Sequence, residues 1–378
     1  MVVYPLIGIP IRAAIALGGL VVLLTGNVKW QTLVLAVALW PIAGIGVTAG
    51  AHRLWTHGSF KPTTVMEALL IFMFCFSDQG RILDWAITHK AHHRYSDTEN
   101  DPHNRKRGFW YSHFGWTIEG AMLEMPPHID VVCVCTRNTR LVKFHDRNSL
   151  WLDPLCSLGL PALVASCWGD ARGGMLVAGA LRWFIVQHFT FFVNSIAHGE
   201  PRDDRHTFDV GQKAIGPRVS LLVTFCALGE GWHDYHHAFP WDYAAAELNA
   251  LDQWNPTKVF IDVCARFGMC SDLRRCSPKR QMAQRLQLEL AARLNSRDGE
   301  HIIPSQHDGR EVNELNTRPA AKWTDDDFDQ FEIVGPPFLR SRVLRETKGI
   351  EPLPPAHAAY PVGEMKKATE GLYDEDDE

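Results

Sequence analysis

The sequence predicts an all-α integral membrane protein: four transmembrane helices, paired as two hairpins, under a helical cap on the cytosolic side. Three observations predict it. Long apolar runs all lie before residue 200, and several approach the ~20 residues a membrane-spanning helix needs. The polar breaks within each pair of runs are short, as a tight helical hairpin requires. The 18 histidines are gathered into clusters near the ends of those runs instead of being spread through the 378 residues.

Residues 6–24 are apolar apart from Arg12 and form the first expected span. Gly26-Asn27-Val28-Lys29 makes the turn, and residues 33–51 form the second span. That run ends in Ala51-His52-Arg53, so the chain leaves the bilayer at its first histidines. Residues 65–76 are apolar apart from Glu67 but too short to cross, which predicts an interfacial or buried helix. Residues 78–150 are polar, and Lys90, Arg94, Arg105, Lys106 and Arg107 assign them to the cytosol by the positive-inside rule. The third span is expected at 152–168 and the fourth at 175–197, joined by the turn 169–174. Arg182 and His188 interrupt the fourth run, which turns those helix faces toward protein and away from lipid. Four crossings return the chain to its starting side, with both termini and every histidine cluster cytosolic.

Residues 1–275 thus read as one membrane domain and 276–378 as a cytosolic tail. Within the tail, 281–295 has the pattern of a surface amphipathic helix. The Pro-, Glu- and Asp-rich remainder is expected to be disordered. The first segment has no basic leader and its apolar run outlasts a signal core, so it is expected to be a retained anchor. A net charge of −5 without a basic stripe argues against nucleic acid as a partner. The nine cysteines include no C-x-x-C pair, which predicts reduced, mostly structural thiols.

The chemistry is carried by four clusters. They are His52-x4-His57, His89-x2-His92-His93, Asn194-x3-His198 and His233-x2-His236-His237. Spacings of three and four bring side chains onto one helix face. A spacing of five puts two rings about 140° apart on a regular helix, so box one converges only if the helix frays or ends between its histidines; Gly58 is a plausible stop. Nine neutral nitrogen ligands are too many for one metal ion and suit two, of iron, zinc or copper. His113, His145, His188 and His206 read as hydrogen-bonding or surface groups, and His103 as an outer neighbour of the site.

These motifs resemble the membrane acyl-CoA desaturase family of the stearoyl-CoA Δ9 type, in its fungal-like branch. The resemblance rests on Thr48-Ala-Gly-Ala-His-Arg-Leu-Trp-Thr-His57, Asp84-Trp-Ala-Ile-Thr-His-Lys-Ala-His-His93, Asp101-Pro-His-Asn104, Arg107-Gly-Phe-Trp-Tyr-Ser-His-Phe-Gly-Trp116, Asn194-Ser-Ile-Ala-His198 and Gly229-Glu-Gly-Trp-His-Asp-Tyr-His-His237. It covers residues 5–275. It implies a non-haem di-iron centre held by His52, His57, His89, His92, His93, His198, His233, His236 and His237, with Asn194 bound through a water. It further implies O2-dependent desaturation of a long-chain fatty acyl-CoA in the endoplasmic reticulum membrane. The acyl chain would lie in a tunnel past Trp85, ending near Trp40 and Gly44.

Two departures bear on the headgroup. Ile87-Thr88 stands where the family often has an Arg-Asp pair, and Gly120-Ala121 replaces a basic pair. An acyl lipid on a carrier other than CoA therefore stays open. So do hydroxylase or conjugase chemistry with the same ligands, and a degenerate lipid-binding or regulatory homologue. A zinc hydrolase would leave most of the nine histidines surplus. The tail carries no His-Pro-Gly-Gly haem signature, so the resemblance implies a separate cytochrome b5 and an NADH-dependent cytochrome b5 reductase as donors. The basic segment Arg105–Arg107 would be the docking loop.

Overall fold

A computed structural model describes residues 9–119, 139–199, 208, 215–250, 252–278, 280–282 and 284–285. The described part is helical, apart from one pair of two-residue strands. Three helical stretches are long and apolar enough to cross a membrane: Trp30–Thr56, Arg140–Ser166 and Ala171–Ser195. Helix α1 (Ile9–Leu24) is apolar apart from Arg12 but has only 16 residues, and the start of the expected first span lies outside the described residues.

Each long stretch changes its winding along the way. Helix α2 (Trp30–Ile45) continues without a break into a π-helical segment, Gly46–Thr56. Leu33, Val34 and Val37 of α2 point outward and are exposed, as a lipid-facing surface requires. Helix α3 (Thr64–Cys75) is the short apolar element, and Met66, Leu70 and Phe74 make it a buried helix. Gly46 allows that contact: a Cβ there would collide with the backbone of Met73 and Phe74. Gly19 does the same for α1 against the carbonyl of Leu176.

The third stretch begins at Arg140, well before the expected 152. Helix α6 (Arg140–Pro154) starts as an amphipathic helix whose buried face carries His145, Asp146, Ser149 and Asp153. Those polar residues made the first half look like part of the preceding loop. After Pro154 the winding widens over Leu155–Gly159 before α7 (Leu160–Ser166). The fourth stretch runs through α8 (Ala171–Gly173), a π segment (Gly174–Leu181) and α9 (Arg182–Ser195). It ends at Ser195, short of the expected 197.

Polar contacts inside this apolar frame are paired. Arg182 is buried, and its guanidinium donates to the carbonyls of Phe76 and Ser157, so its face is turned toward protein as expected. Arg12 grips Asp78 with two bonds, Nε to Oδ2 at 2.7 Å and Nη2 to Oδ1 at 3.1 Å. The two hairpin turns are tied together by Asp170. Its Oδ2 accepts from the Lys29 amide at 2.9 Å and from Thr32 Oγ1 at 2.6 Å.

The other helices are α4 (Ile82–Tyr95), α5 (Trp116–Ile118), α10 (Leu221–Cys226), α11 (His233–Ala238) and α12 (Pro256–Arg266). Strands β1 (Lys61–Pro62) and β2 (Cys270–Ser271) pair antiparallel and fasten the chain after box one to the residues following α12. The main apolar core joins Trp55, Phe60, Met66, Phe74, Ile82, Val142 and Ile261, directly beneath the π segment that carries box one. The expected helix 281–295 falls largely, and the acidic tail wholly, outside the described residues.

Candidate metal centre

Box one does not fray. The His57 amide donates to the His52 carbonyl at 3.2 Å, closing an i→i+5 turn, and the two rings lie 4.9 Å apart. In this wider winding a residue five positions on returns to the same side. Thr56 Oγ1 donates to the Ala51 carbonyl at 2.7 Å, satisfying an acceptor within the altered turn. The spacing that defeats an α-helix is the one a π turn accommodates.

Boxes two and three each divide between two clusters. On α4, His89 and His93 turn to one side and His92 to the other; on α11, His233 and His237 turn to one side and His236 to the other. Helical geometry explains the division, because i+4 lies about 40° past i while i+3 lies about 60° short of it. One cluster is His52, His57, His89, His93 and His236, and the second is His92, His198, His233 and His237. Within each, the candidate ligand atoms are within 4.8 Å of one another. The clusters adjoin, and the rings of His93 and His237 stack at 4.3 Å. All nine predicted histidines are brought together, and among the described residues no other histidine joins these two groups.

Their Nε2 atoms converge. Nε2 to Nε2 separations are 2.8 Å for His52–His236, 2.9 Å for His93–His236 and 2.9 Å for His198–His233. The His92–His198 separation is 3.1 Å. Carboxylates stand behind three of the rings. Asp101 Oδ2 is 2.9 Å from His92 Nδ1, and Asp97 Oδ2 is 2.8 Å from His198 Nδ1. Glu230 Oε2 is 2.9 Å from His52 Nδ1, though off the hydrogen-bond axis. Arg53 holds the other oxygen of Glu230 at 2.7 Å. A carboxylate on Nδ1–H leaves the Nε2 lone pair facing the cluster, the tautomer a metal takes.

Burial first, and the neighbouring imidazoles second, hold His57, His89, His92, His233, His236 and His237 well below the usual histidine value. Neutral imidazole is the ligating form. Burial works against ionisation of Glu230, but Arg53 and then His52 outweigh it and pull the carboxyl down to about 2. Burial drives Asp101 well up, a cost that a cation on the histidine nitrogens would offset. His57 Nε2 is buried with no hydrogen-bond partner. Convergent lone pairs, an orphaned nitrogen and anions behind the rings fit two bound cations.

Asn194 is in the last turn of α9, and His198 lies in the turn beyond it. Trp85 sits 6.3 Å from His52 and 5.1 Å from His89, ring to ring. Its indole donates to Gln79, which in turn donates to Thr190 on α9. Trp40 packs against Phe189 and Phe225 at 5.8 Å and 5.7 Å. A side chain on Gly44 would point at Leu228.

His103 lies over His92 at 4.2 Å with its Nδ1 3.5 Å from Asp101, an outer neighbour as expected. His113 and His188 bond each other at 2.8 Å. His145 bonds two carboxylates and is fully buried, and His206 lies outside the described residues. The sequence reading missed Asp97, Glu230, Arg53, Gln79 and Thr190. Glu230 lies inside one of the quoted motifs, and its place three residues before His233 was the available signal.

The family model for fatty acid desaturase matches residues 29–256. Similar proteins include the acyl-CoA Delta(11) desaturase of Trichoplusia ni, 40% identical over 271 residues, which are 69% of this chain and 73% of that protein. The stearoyl-CoA desaturase of Sus scrofa is 36% identical, over 68% of this chain and 70% of its own length. The acyl-CoA Delta-9 desaturase of Acheta domesticus is 36% identical, over 66% of this chain and 68% of its own length.

Proposed function

The chain belongs to the fatty acid desaturase family, and from that premise we propose that it is an O2-dependent acyl-CoA desaturase, an oxidoreductase that places a cis double bond in a long fatty-acyl chain, at Δ9. The observation that carries this reading is the double histidine cluster: nine imidazoles, no carboxylate among them, in two adjoining sets. Two irons are the proposed occupants. When bound, they supply with O2 the oxidising power that an unactivated methylene C–H bond demands and no side chain can provide.

This chain's residues do the rest. The nine histidines hold the ions, and Asn194 takes a water beside the second cluster. Glu230, Asp101 and Asp97 orient His52, His92 and His198, and Arg53 keeps Glu230 anionic. The burial of the clusters excludes bulk water from the reacting carbon. Trp85, fixed by Gln79, forms the wall where the acyl chain passes the metals. Trp40 and Gly44 lie farther along α2 and close the tunnel, so geometry along the chain selects which C–C bond is presented.

We assign four spans with both termini and the metal centre cytosolic, in the endoplasmic reticulum membrane; the three long apolar stretches and α1 support this. Residues 1–275 form the catalytic domain and 276–378 the tail. Electrons come from a separate cytochrome b5 and its NADH-dependent reductase, docking at exposed Lys106 and Arg107.

The test is gas-chromatographic profiling of cells lacking their own Δ9 desaturase and expressing either this chain or its His236→Ala form. A new cis-monoene that requires His236 is the expected result. Its absence, from iron-loaded protein with a donor present, rejects the assignment.

A further inference from the structure

Away from the histidine centre, a second set of ligand-type side chains is buried where α3, α6 and the π segment Leu155–Gly159 meet. Cys75 closes α3, His145 and Asp153 are on the buried face of α6, and Cys156 follows Pro154. None of the four is more than 3% exposed. The donor atoms of Cys75, His145 and Asp153 lie within 4.8 Å of one another. Cys156 is buried in the same cluster as Cys75, outside that set of three. His145 Nε2 is 3.0 Å from Asp153 Oδ1, and its Nδ1 is 3.2 Å from Asp146 Oδ1. The second oxygen of Asp153, Oδ2, is buried with no hydrogen-bond partner.

Two thiols, an imidazole and two carboxylates are expensive to bury together in apolar surroundings. One proton on His145 would balance one carboxylate. It would leave the Asp153 oxygen orphaned and the thiols without a role. A divalent cation answers both. Thiolate, imidazole and carboxylate together make a donor set suited to zinc, which takes four such ligands in a closed tetrahedron at structural sites. Asp146 stands behind His145 as carboxylates stand behind zinc-bound histidines, on Nδ1–H, so that Nε2 faces the other donors.

We propose that Cys75, His145 and Asp153 form a structural zinc site, separate from the histidine centre and sharing no ligand with it, with the buried Cys156 drawn in as the fourth donor. Its position gives it a role. Asp146 also accepts from the amides of Ile82 at 2.8 Å and Leu83 at 3.2 Å, the first turn of α4. The ion fixes His145, His145 fixes Asp146, and Asp146 anchors the start of the helix that carries His89, His92 and His93. The site pins α3 to α6 and steadies box two from behind.

Sulfur separates this site from the centre above it, because nine histidines offer none. Full-length protein in detergent, stripped of metal and reloaded with cobalt(II), should show a thiolate-to-cobalt charge-transfer band in the near ultraviolet. Zinc-loaded wild type should show sulfur at about 2.3 Å in X-ray absorption. Cys75→Ser should lose the band and one metal per chain while keeping the metals bound to histidine. A wild-type protein with neither the band nor a sulfur neighbour overturns the proposal and leaves His145 as a cation between two carboxylates. A band that survives in Cys75→Ser overturns it as well. If Cys75→Ser does not fold, the two wild-type spectra decide the matter.

Discussion

A histidine ligand is only as good as the atom behind it. Glu230, held by Arg53, stands behind His52, and Asp101 and Asp97 stand behind His92 and His198. Glu230→Gln keeps the shape and removes the charge. We expect a drop of about 10–100-fold in metal affinity or product formation, read by metal analysis and fatty-acid profiling side by side. His92→Ala and His236→Ala remove a ligand from different clusters, and each should abolish product while the protein still reaches the membrane. Normal turnover in either would sink the ligand assignment.

Protons compete for the same nitrogens. Six of the nine histidines are held below the ordinary value of 6.5 in the fold. The unfolded chain takes up protons below about pH 6.5 where the folded, metal-free chain does not, so stability is full above that pH and falls as the pH drops through it. Thermal unfolding of chelated protein from about pH 8 to about pH 5 should show the decline, and a flat profile would contradict it. At this scale the histidine clustering was legible because histidine is scarce and its spacing periodic. The carboxylates were not, because Asp and Glu are common and Glu230 meets His52 only through the fold.

At the scale of elements, the decisive structure is the π winding over Gly46–Thr56. Sequence periodicity assumes an α-helix, and under that assumption a spacing of five appears as a defect. The wider winding brings the two rings together and carries the helix onward beyond its expected end. Thr56→Val would strip the Ala51 carbonyl of its hydroxyl partner. The expected loss is about 1–3 kcal/mol, seen as an earlier thermal transition in detergent; an unchanged transition would show that the turn holds without it. On the same element, Gly44→Phe would displace Leu228 and fill the proposed tunnel end, shifting products toward shorter acyl chains. An unaltered profile would put the tunnel end elsewhere. The span edges were harder to read than the spans themselves, since α6 begins with an amphipathic turn that resembles a loop by composition.

For the whole molecule, nine histidines converge from a π segment and its cap, α4, the turn after α9 and α11, elements spread over most of the described chain. Filling the centre therefore joins elements that sequence keeps apart. Metal should raise the thermal midpoint of the full chain in step with free metal concentration, as binding to the folded state alone requires. A midpoint indifferent to metal would mean that the frame stands unaided. The order of apolar runs and histidine boxes made this architecture legible from the chain alone. The side-chain ties between distant runs, such as Asp170 to Thr32, were invisible there, because nothing local marks which polar residue in one turn will find which in another.

The grip of Arg12 on Asp78 also has a consequence for biosynthesis. An arginine in an apolar helix resists entering lipid alone, and its partner is translated 66 residues later. When α1 leaves the ribosome, Asp78 has not yet been made. Its final seating must wait until α3 has been made and Asp78 follows, so this helix is made before it can be secured.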